Sequence, residues 1–303
     1  MERALSARFL AAALLALPLL GAKEPPPPAA RDNGQVAWAE ACKGDDGWDT
    51  PGPPFRVHGN TWYVGTCGIA AILINDVSRV VVIDSGTEKG ADVVLANLRS
   101  LGVDPKNVQL LLASHEHFDH VGGMARLIAA TGADLFASGE AIAVMQTGKA
   151  NRDDPQFGSL PPMQPTKWGI PYYAPETRGL LVDVMEITPI DTPGHTPGAM
   201  SWSWKSCEGA DCKTIVYADS LSPVSSETYR FSDHPEYVAA FRESIAAIAA
   251  LDCDILLTPH PSASAMPERA RTGTMVGGMT CAQYADAKTK ALDERLAKEA
   301  AAK

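Results

Sequence analysis

Residues 113–123 read ASHEHFDHVGG, and the six positions from His115 to His120 hold three histidines and two carboxylates. The chain has only seven histidines, so this density is not diffuse composition but a coordination site. The preceding VQLLLAS is apolar and strand-like. In extended backbone residues i and i+2 project to the same side. His115 and His117 can therefore reach one ion together, while Glu116 projects the other way, to solvent or a salt bridge. Asp119 and His120 come where the strand gives out and VGG opens a helix, so this second pair addresses a neighbouring ion. Gly122 and Gly123 let that helix begin close to the metals.

Two more histidines follow strand-like runs, His195 between two prolines in DTPGHTPG and His260 in LLTPHP. Either one alone is more often a hydrogen-bonded surface residue, but beside HEHFDH the odds reverse. Imidazoles with one oxygen donor, no thiolate and an open position are the mark of catalytic rather than structural zinc. Five histidines and Asp119 suffice for two ions with room for water. His58 and His234 have no such company and read as structural. Asp84, ending RVVVID, is a brace for a ligand or a plain strand-end turn residue.

Strands are expected at 61–66, 69–74, 79–84, 108–114, 133–138, 180–188, 200–205, 214–218 and 253–259. Helices are expected over 89–101, 122–131, 141–147, 235–251 and 281–301, the last ending as a charged, solvated surface helix. Alternating strands and helices with both sheet faces covered fit a layered α/β domain. Residues 148–175 carry six prolines and little periodicity. So long an irregular stretch reads as a wall or flap over the substrate, or else as an inert surface excursion.

The net charge of −10 argues against nucleic acid or an anionic membrane as partner. Residues 1–22 place Arg3 and Arg8 before twelve apolar or small residues, Phe9 to Leu20, in the order of a secretory signal. That run falls short of the roughly 20 residues a bilayer span needs. Residues 23–34 form a stiff, proline-rich linker, and a single domain should occupy 35–303. After export to the periplasm or beyond, six cysteines read as disulfides, with fifteen possible pairings. Cys207 and Cys212, flanking EGAD between two strands, are brought together by a hairpin.

HEHFDH fits the HxHxDH motif of the metallo-β-lactamase superfamily, and His195, Asp219 and His260 continue the order. With SHEHFDHVGG, DTPGHTPG, YADSLS and LLTPHP, the chain from about Gln35 onward resembles the secreted, disulfide-rich members of subclass B3. The resemblance implies an αββα sandwich with two zinc ions at one edge of the sheets. It implies that His115, His117 and His195 hold the first zinc, and Asp119, His120 and His260 the second. It pairs Cys42 with Cys67, Cys207 with Cys212 and Cys253 with Cys281, and sets Asp219 outside the ligand shell. The implied reaction is opening of a β-lactam amide by a zinc-held hydroxide that Asp119 orients, in a monomer active on carbapenems and conferring antibiotic resistance. Ser220 and Ser222 would bind the substrate carboxylate, with Gln156 and Phe157 as wall residues and Trp38 as either a wall residue or part of the core. A secreted thioesterase similar to glyoxalase II, or a lactonase, would use a related site. A zinc-binding scaffold with a dead site would usually have lost a donor.

Overall fold

The computed structural model describes residues 33–76, 78–173 and 178–302. The expected signal and nearly all of the expected linker lie outside the described residues. Asn33 and Gly34, expected in the linker, are among the described residues. The Asn33 side chain accepts from Gln35 N at 3.0 Å and donates to Gly273 O at 2.9 Å.

One sheet is ordered β1-β2-β3-β4-β5-β6-β7, with β1 (Phe55–His58), β2 (Thr61–Tyr63), β3 (Ile72–Asn75) and β4 (Val80–Ile83) antiparallel. Strands β5 (Leu110–Leu112), β6 (Asp134–Ala137) and β7 (Ile170–Pro171) extend it in parallel. The second sheet is ordered β11-β10-β9-β8. In it β8 (Ile187–Asp191), β9 (Met200–Glu208) and β10 (Asp211–Tyr217) run antiparallel, and β11 (Ile255–Leu257) lies parallel to β10.

The layering follows from side-chain alternation. Val81 and Ile83 of β4 face the same cluster as Ile215 and Tyr217 of β10 and Ile255 and Leu257 of β11, which is the core between the sheets. The residues in between point outward. Val82, Leu111 and Leu135 pack under α2 (Gly90–Ser100), α4 (Met124–Thr131) and α5 (Gly139–Thr147). Val216 and Leu256 pack under α6 (Pro235–Ala249) and α8 (Cys281–Ala301). With both faces covered, these strands read as unbroken apolar runs. The result is the expected αββα sandwich.

Several local expectations are corrected. Residues 180–188 do not form one strand: Leu180–Val184 wind into a π-helical turn before β8. Leu181 and Met185, four residues apart, are both buried in that winding, and Glu186 with φ 53° turns the chain into the strand. The end of α8 is not simply solvated, because Glu299 is buried and accepts from Phe231 N at 3.1 Å and Ser232 N at 2.8 Å. Helices α1 (Gln35–Ala41) and α7 (Met266–Thr272), unexpected from the sequence, are each seven residues and too short to show a period. Trp38 is not a pocket wall. It sits in α1, 1% exposed, with its ring edge-on to Phe55 and Tyr63 at 5.5 and 5.4 Å.

All three disulfides are formed. Cys207 and Cys212 face each other across the β9–β10 hairpin, and Cys42 joins Cys67. Cys253 joins Cys281, the first residue of α8.

Candidate functional site

The HEHFDH segment hangs from the end of β5 and is fixed at its root by Asp84, the residue after β4. Asp84 accepts from Ser114 N, Ser114 Oγ and Tyr217 Oη, each at 2.7 Å, and so ties three strand ends together. It holds a left-handed φ of 64°, which a short polar side chain tolerates. Burial pushes its carboxyl up to about 6, against His120, Tyr217 and Ser114. Asp84 is thus a brace: its Oδ2 stands 3.9 Å from His120 Nδ1.

His117 is extended, with ψ 152°, and begins α3 (Phe118–Val121), the single turn that presents Asp119 and His120. The helix therefore starts before the glycines. Gly122 and Gly123 link α3 to α4, and a Cβ on Gly123 would lie 2.6 Å from Ala91 Cβ and from Thr87 O. The glycine allows close packing on the start of α2 rather than access to metal.

Glu116 does project away from His115 and His117, but not to solvent. It is buried, and accepts from Thr196 Oγ1 at 2.7 Å and Gly198 N at 2.9 Å. The carboxyl clamps the His117 segment onto the loop carrying His195. Burial pushes it up to about 7, opposed by those hydrogen bonds and by His117.

The six donors fall into two triads. Ligand atoms of His115, His117 and His195 lie within 4.8 Å of one another, and so do those of Asp119, His120 and His260. The rings of His115 and His120 are 4.2 Å apart, which puts the triads side by side.

In the first triad each imidazole has one nitrogen engaged away from its partners. His115 Nδ1 meets Asp219 Oδ1 at 2.7 Å, His117 Nε2 meets Asp154 Oδ2 at 2.9 Å, and His195 Nδ1 donates to Ser222 O at 2.8 Å. These bonds leave His115 Nε2, His117 Nδ1 and His195 Nε2 with lone pairs, the arrangement by which an outer partner fixes the tautomer of a metal-bound histidine. His115 Nε2 is buried and has no hydrogen-bond partner. Burial, with neighbouring imidazoles, holds His115 and His195 well below the usual imidazole range. Both stay neutral, the form that binds metal.

In the second triad Asp119 Oδ2 is 3.0 Å from His120 Nε2 and 3.3 Å from His260 Nε2, and the two ring nitrogens are 3.3 Å apart. Tetrahedral zinc with bonds of about 2.0–2.1 Å spaces its ligands roughly 3.3 Å apart. Against burial, His120 and the hydrogen bonds from His120 and His260 hold Asp119 far below the usual carboxylate range, so it is ionised. Asp119 in turn draws His120 up, against its burial. The donor set fits a small divalent cation at each triad.

His117 and His195 of the first triad and Asp119 and His260 of the second floor a solvent-open cleft of about 220 Å³, walled by Trp48, Gln156, Leu160, Ser220, Ser222 and Val224. The Ser220 hydroxyl is buried without a partner. Of the expected wall residues Gln156 lines the cleft. Phe157 does not, and is 45% exposed on the same loop. That loop is anchored through Asp154 to His117 and through Pro155 O to Ser226 N, at 2.8 Å. Asp219 is fully buried behind His115, and burial pushes its carboxyl up. His58 bonds Asp211 O at 3.1 Å, and His234 stacks on Tyr229 at 4.5 Å, both far from the cleft in role. Sequence reasoning missed Trp48, Leu160, Val224 and Asp154, which occupy turn-rich segments without periodicity.

Residues 64–260 match the family model of the metallo-beta-lactamase superfamily. Among solved structures, the MIM-2 metallo-beta-lactamase is 47% identical, with a TM-score of 0.77 over 88% of this chain and 98% of that one. MIM-1 from Novosphingobium pentaromativorans is 44% identical, with a TM-score of 0.80 over 87% and 98%. MEM-A1, a subclass B3 metallo-beta-lactamase from a soil metagenome library, is 35% identical, with a TM-score of 0.77 over 85% and 100%. Curated relatives match over a shorter span: the chain covers 59%, 16% and 57% of the length of three of them. A family model spanning more than half of the sequence, and solved relatives matched nearly end to end, agree with the paired triads: this chain is a metal-dependent hydrolase of the metallo-β-lactamase superfamily, subclass B3.

Proposed function

We propose that this enzyme hydrolyses the amide bond of β-lactam antibiotics, carbapenems among them, with His115, His117 and His195 holding one zinc ion and Asp119, His120 and His260 a second. The observation that carries this reading is two complementary donor triads on the floor of one cleft whose wall presents unpartnered hydroxyl hydrogen-bonding capacity at Ser220. Zinc bound there would supply a Lewis acid for the lactam carbonyl and a water acidified to a pKa of about 7.

The chain's own groups do the rest. Asp119 engages His120 and His260 through Oδ2, so Oδ1 is left to accept a hydrogen bond from the attacking water and orient it. Ser220 and Ser222 donate to the substrate carboxylate, Gln156 offers an amide to the lactam side, and Trp48, Leu160 and Val224 form an apolar wall. Asp219 and Asp154 keep the rings of His115 and His117 in the ligand-presenting tautomer.

A thioesterase reading needs Asp219 between two metals. Its Oδ1 is instead committed to the far nitrogen of His115, which favours the lactamase. Export to the periplasm, with residues 1–22 as its signal, is part of the same proposal. It is supported by three disulfides and by the lack, among the described residues, of a helix long and apolar enough to cross a membrane. We further infer a resistance role and a monomer.

The test is turnover of a carbapenem, a thioester and a lactone, each with and without chelator. The expected result is chelator-sensitive hydrolysis of the carbapenem. Thioester or lactone turnover with an untouched carbapenem overturns the reading.

A further inference from the structure

Among the described residues lining the cleft none is lysine or arginine, and the chain carries a net charge of −10. An anionic substrate therefore finds no cationic side chain on the wall of the cleft itself. One ammonium nevertheless reaches the cleft wall from behind. Lys288 Nζ, on α8, donates to Ser222 Oγ at 2.8 Å and stands 4.8 Å above the ring of Tyr284.

Lysines usually extend their ammonium into water. Lys288 turns inward instead, and among the described residues it has no carboxylate partner within ion-pair distance. Tyr284, four residues earlier and so on the same helix face, donates to Asp219 O and Ser220 O, each at 2.7 Å. One face of α8 thus grips the whole Asp219–Ser222 segment. Its N-terminus is pinned by the Cys253–Cys281 bond.

Resting on the lactam reading above, we propose that Lys288 is a positioning residue that supplies the positive charge of the carboxylate subsite, acting through the Ser222 hydroxyl. The ammonium occupies an acceptor lone pair of Ser222 Oγ. The hydroxyl is thereby made a donor, directed now to Ser220 O at 3.1 Å and able to rotate into the cleft. A carboxylate placed there meets an O–H polarised by a cation, which is stronger than a neutral hydrogen bond. Burial lowers the Lys288 ammonium to about 8, partly offset by Asp219, so it remains charged at neutral pH.

The experiment compares a cephalosporin bearing its free ring carboxylate with the methyl ester of the same compound, on the metal-loaded enzyme and its Lys288→Met and Lys288→Arg variants. Lys288→Met should raise KM for the free acid about tenfold, as loss of one charge-assisted contact implies, with kcat within a factor of about three. KM for the ester should not move, and Lys288→Arg should restore most of the free-acid value. Binding of the free acid to chelator-treated protein, read by tryptophan fluorescence, should weaken by a similar factor in Lys288→Met. Equal losses on acid and ester, or no loss on either, overturn the proposal. Failure of the unaltered enzyme to open either compound instead overturns the lactam reading, and this subsite with it.

Discussion

His117 is held between two functions by its two nitrogens, one turned to its triad and the other bonded to Asp154 at 2.9 Å. Asp154 lies 37 residues further along the chain, in the proline-rich loop, and also accepts from Gln156 N at 2.7 Å. A single carboxylate therefore sets both the ring orientation of a candidate metal donor and the place of a wall residue. Removing such an outer partner typically lowers metal affinity or activity by about 10–100-fold. Asp154→Ala should lower zinc affinity at the first triad by that factor, measured by competition with a chromophoric chelator, while leaving the disulfides and circular dichroism unchanged. His117→Ala removes the donor itself and should abolish turnover outright. Unaltered zinc affinity in Asp154→Ala would show that the loop does not brace the site.

At the level of elements, α8 joins fold to function. Its start is closed by a disulfide and a capping box between Thr280 and Gln283, its middle holds Tyr284 and Lys288 against the cleft wall, and its end carries Glu299, which accepts from Phe231 N. The Cys253–Cys281 bond spans 28 residues and the Cys207–Cys212 bond only 5. Loop-closure entropy assigns them about 3.5 and about 2 kcal/mol. Cys253→Ser with Cys281→Ser should therefore reduce unfolding free energy in denaturant more than Cys207→Ser with Cys212→Ser. Only the first pair should also raise KM, since only it loosens the helix behind Ser220 and Ser222. Equal kinetic effects from both pairs would detach α8 from the site. This helix was legible in the sequence at its full length, because twenty-one residues display a period that seven, as in α1 or α7, do not. Residues 180–188 misled because an apolar run alone does not distinguish a strand from a helical turn. The two candidate donor triads were legible because coordination demands particular side chains at strand ends. Alternation correctly gave the direction of Glu116 but not its destination, since what lies opposite a strand end depends on a loop 80 residues away. Trp48, Asp154 and Lys288 were invisible for the same reason.

The molecule as a whole keeps its stability and its chemistry in different places. Three apolar clusters, one between the sheets and one under each helical layer, draw on none of the six candidate donors. Those donors sit at one edge, where strand ends and loops converge. The buried imidazoles of His115 and His195 are accommodated as neutral groups, so the site does not need a cation to avoid uncompensated charge there. This differs from a zinc finger, in which metal binding is the folding free energy. Chelation should therefore abolish turnover yet leave a folded, oxidised protein with an unchanged far-ultraviolet circular dichroism spectrum. It should still lower stability, because a ligand bound only by the native state at about 100 times its dissociation constant adds roughly 2.7 kcal/mol. Denaturant unfolding of the chelated protein, with and without added zinc, measures that difference. Restoration of both stability and turnover by zinc is the expected result. A chelated chain that is unfolded at room temperature would mean that the two triads, and not the three clusters, hold the sandwich closed.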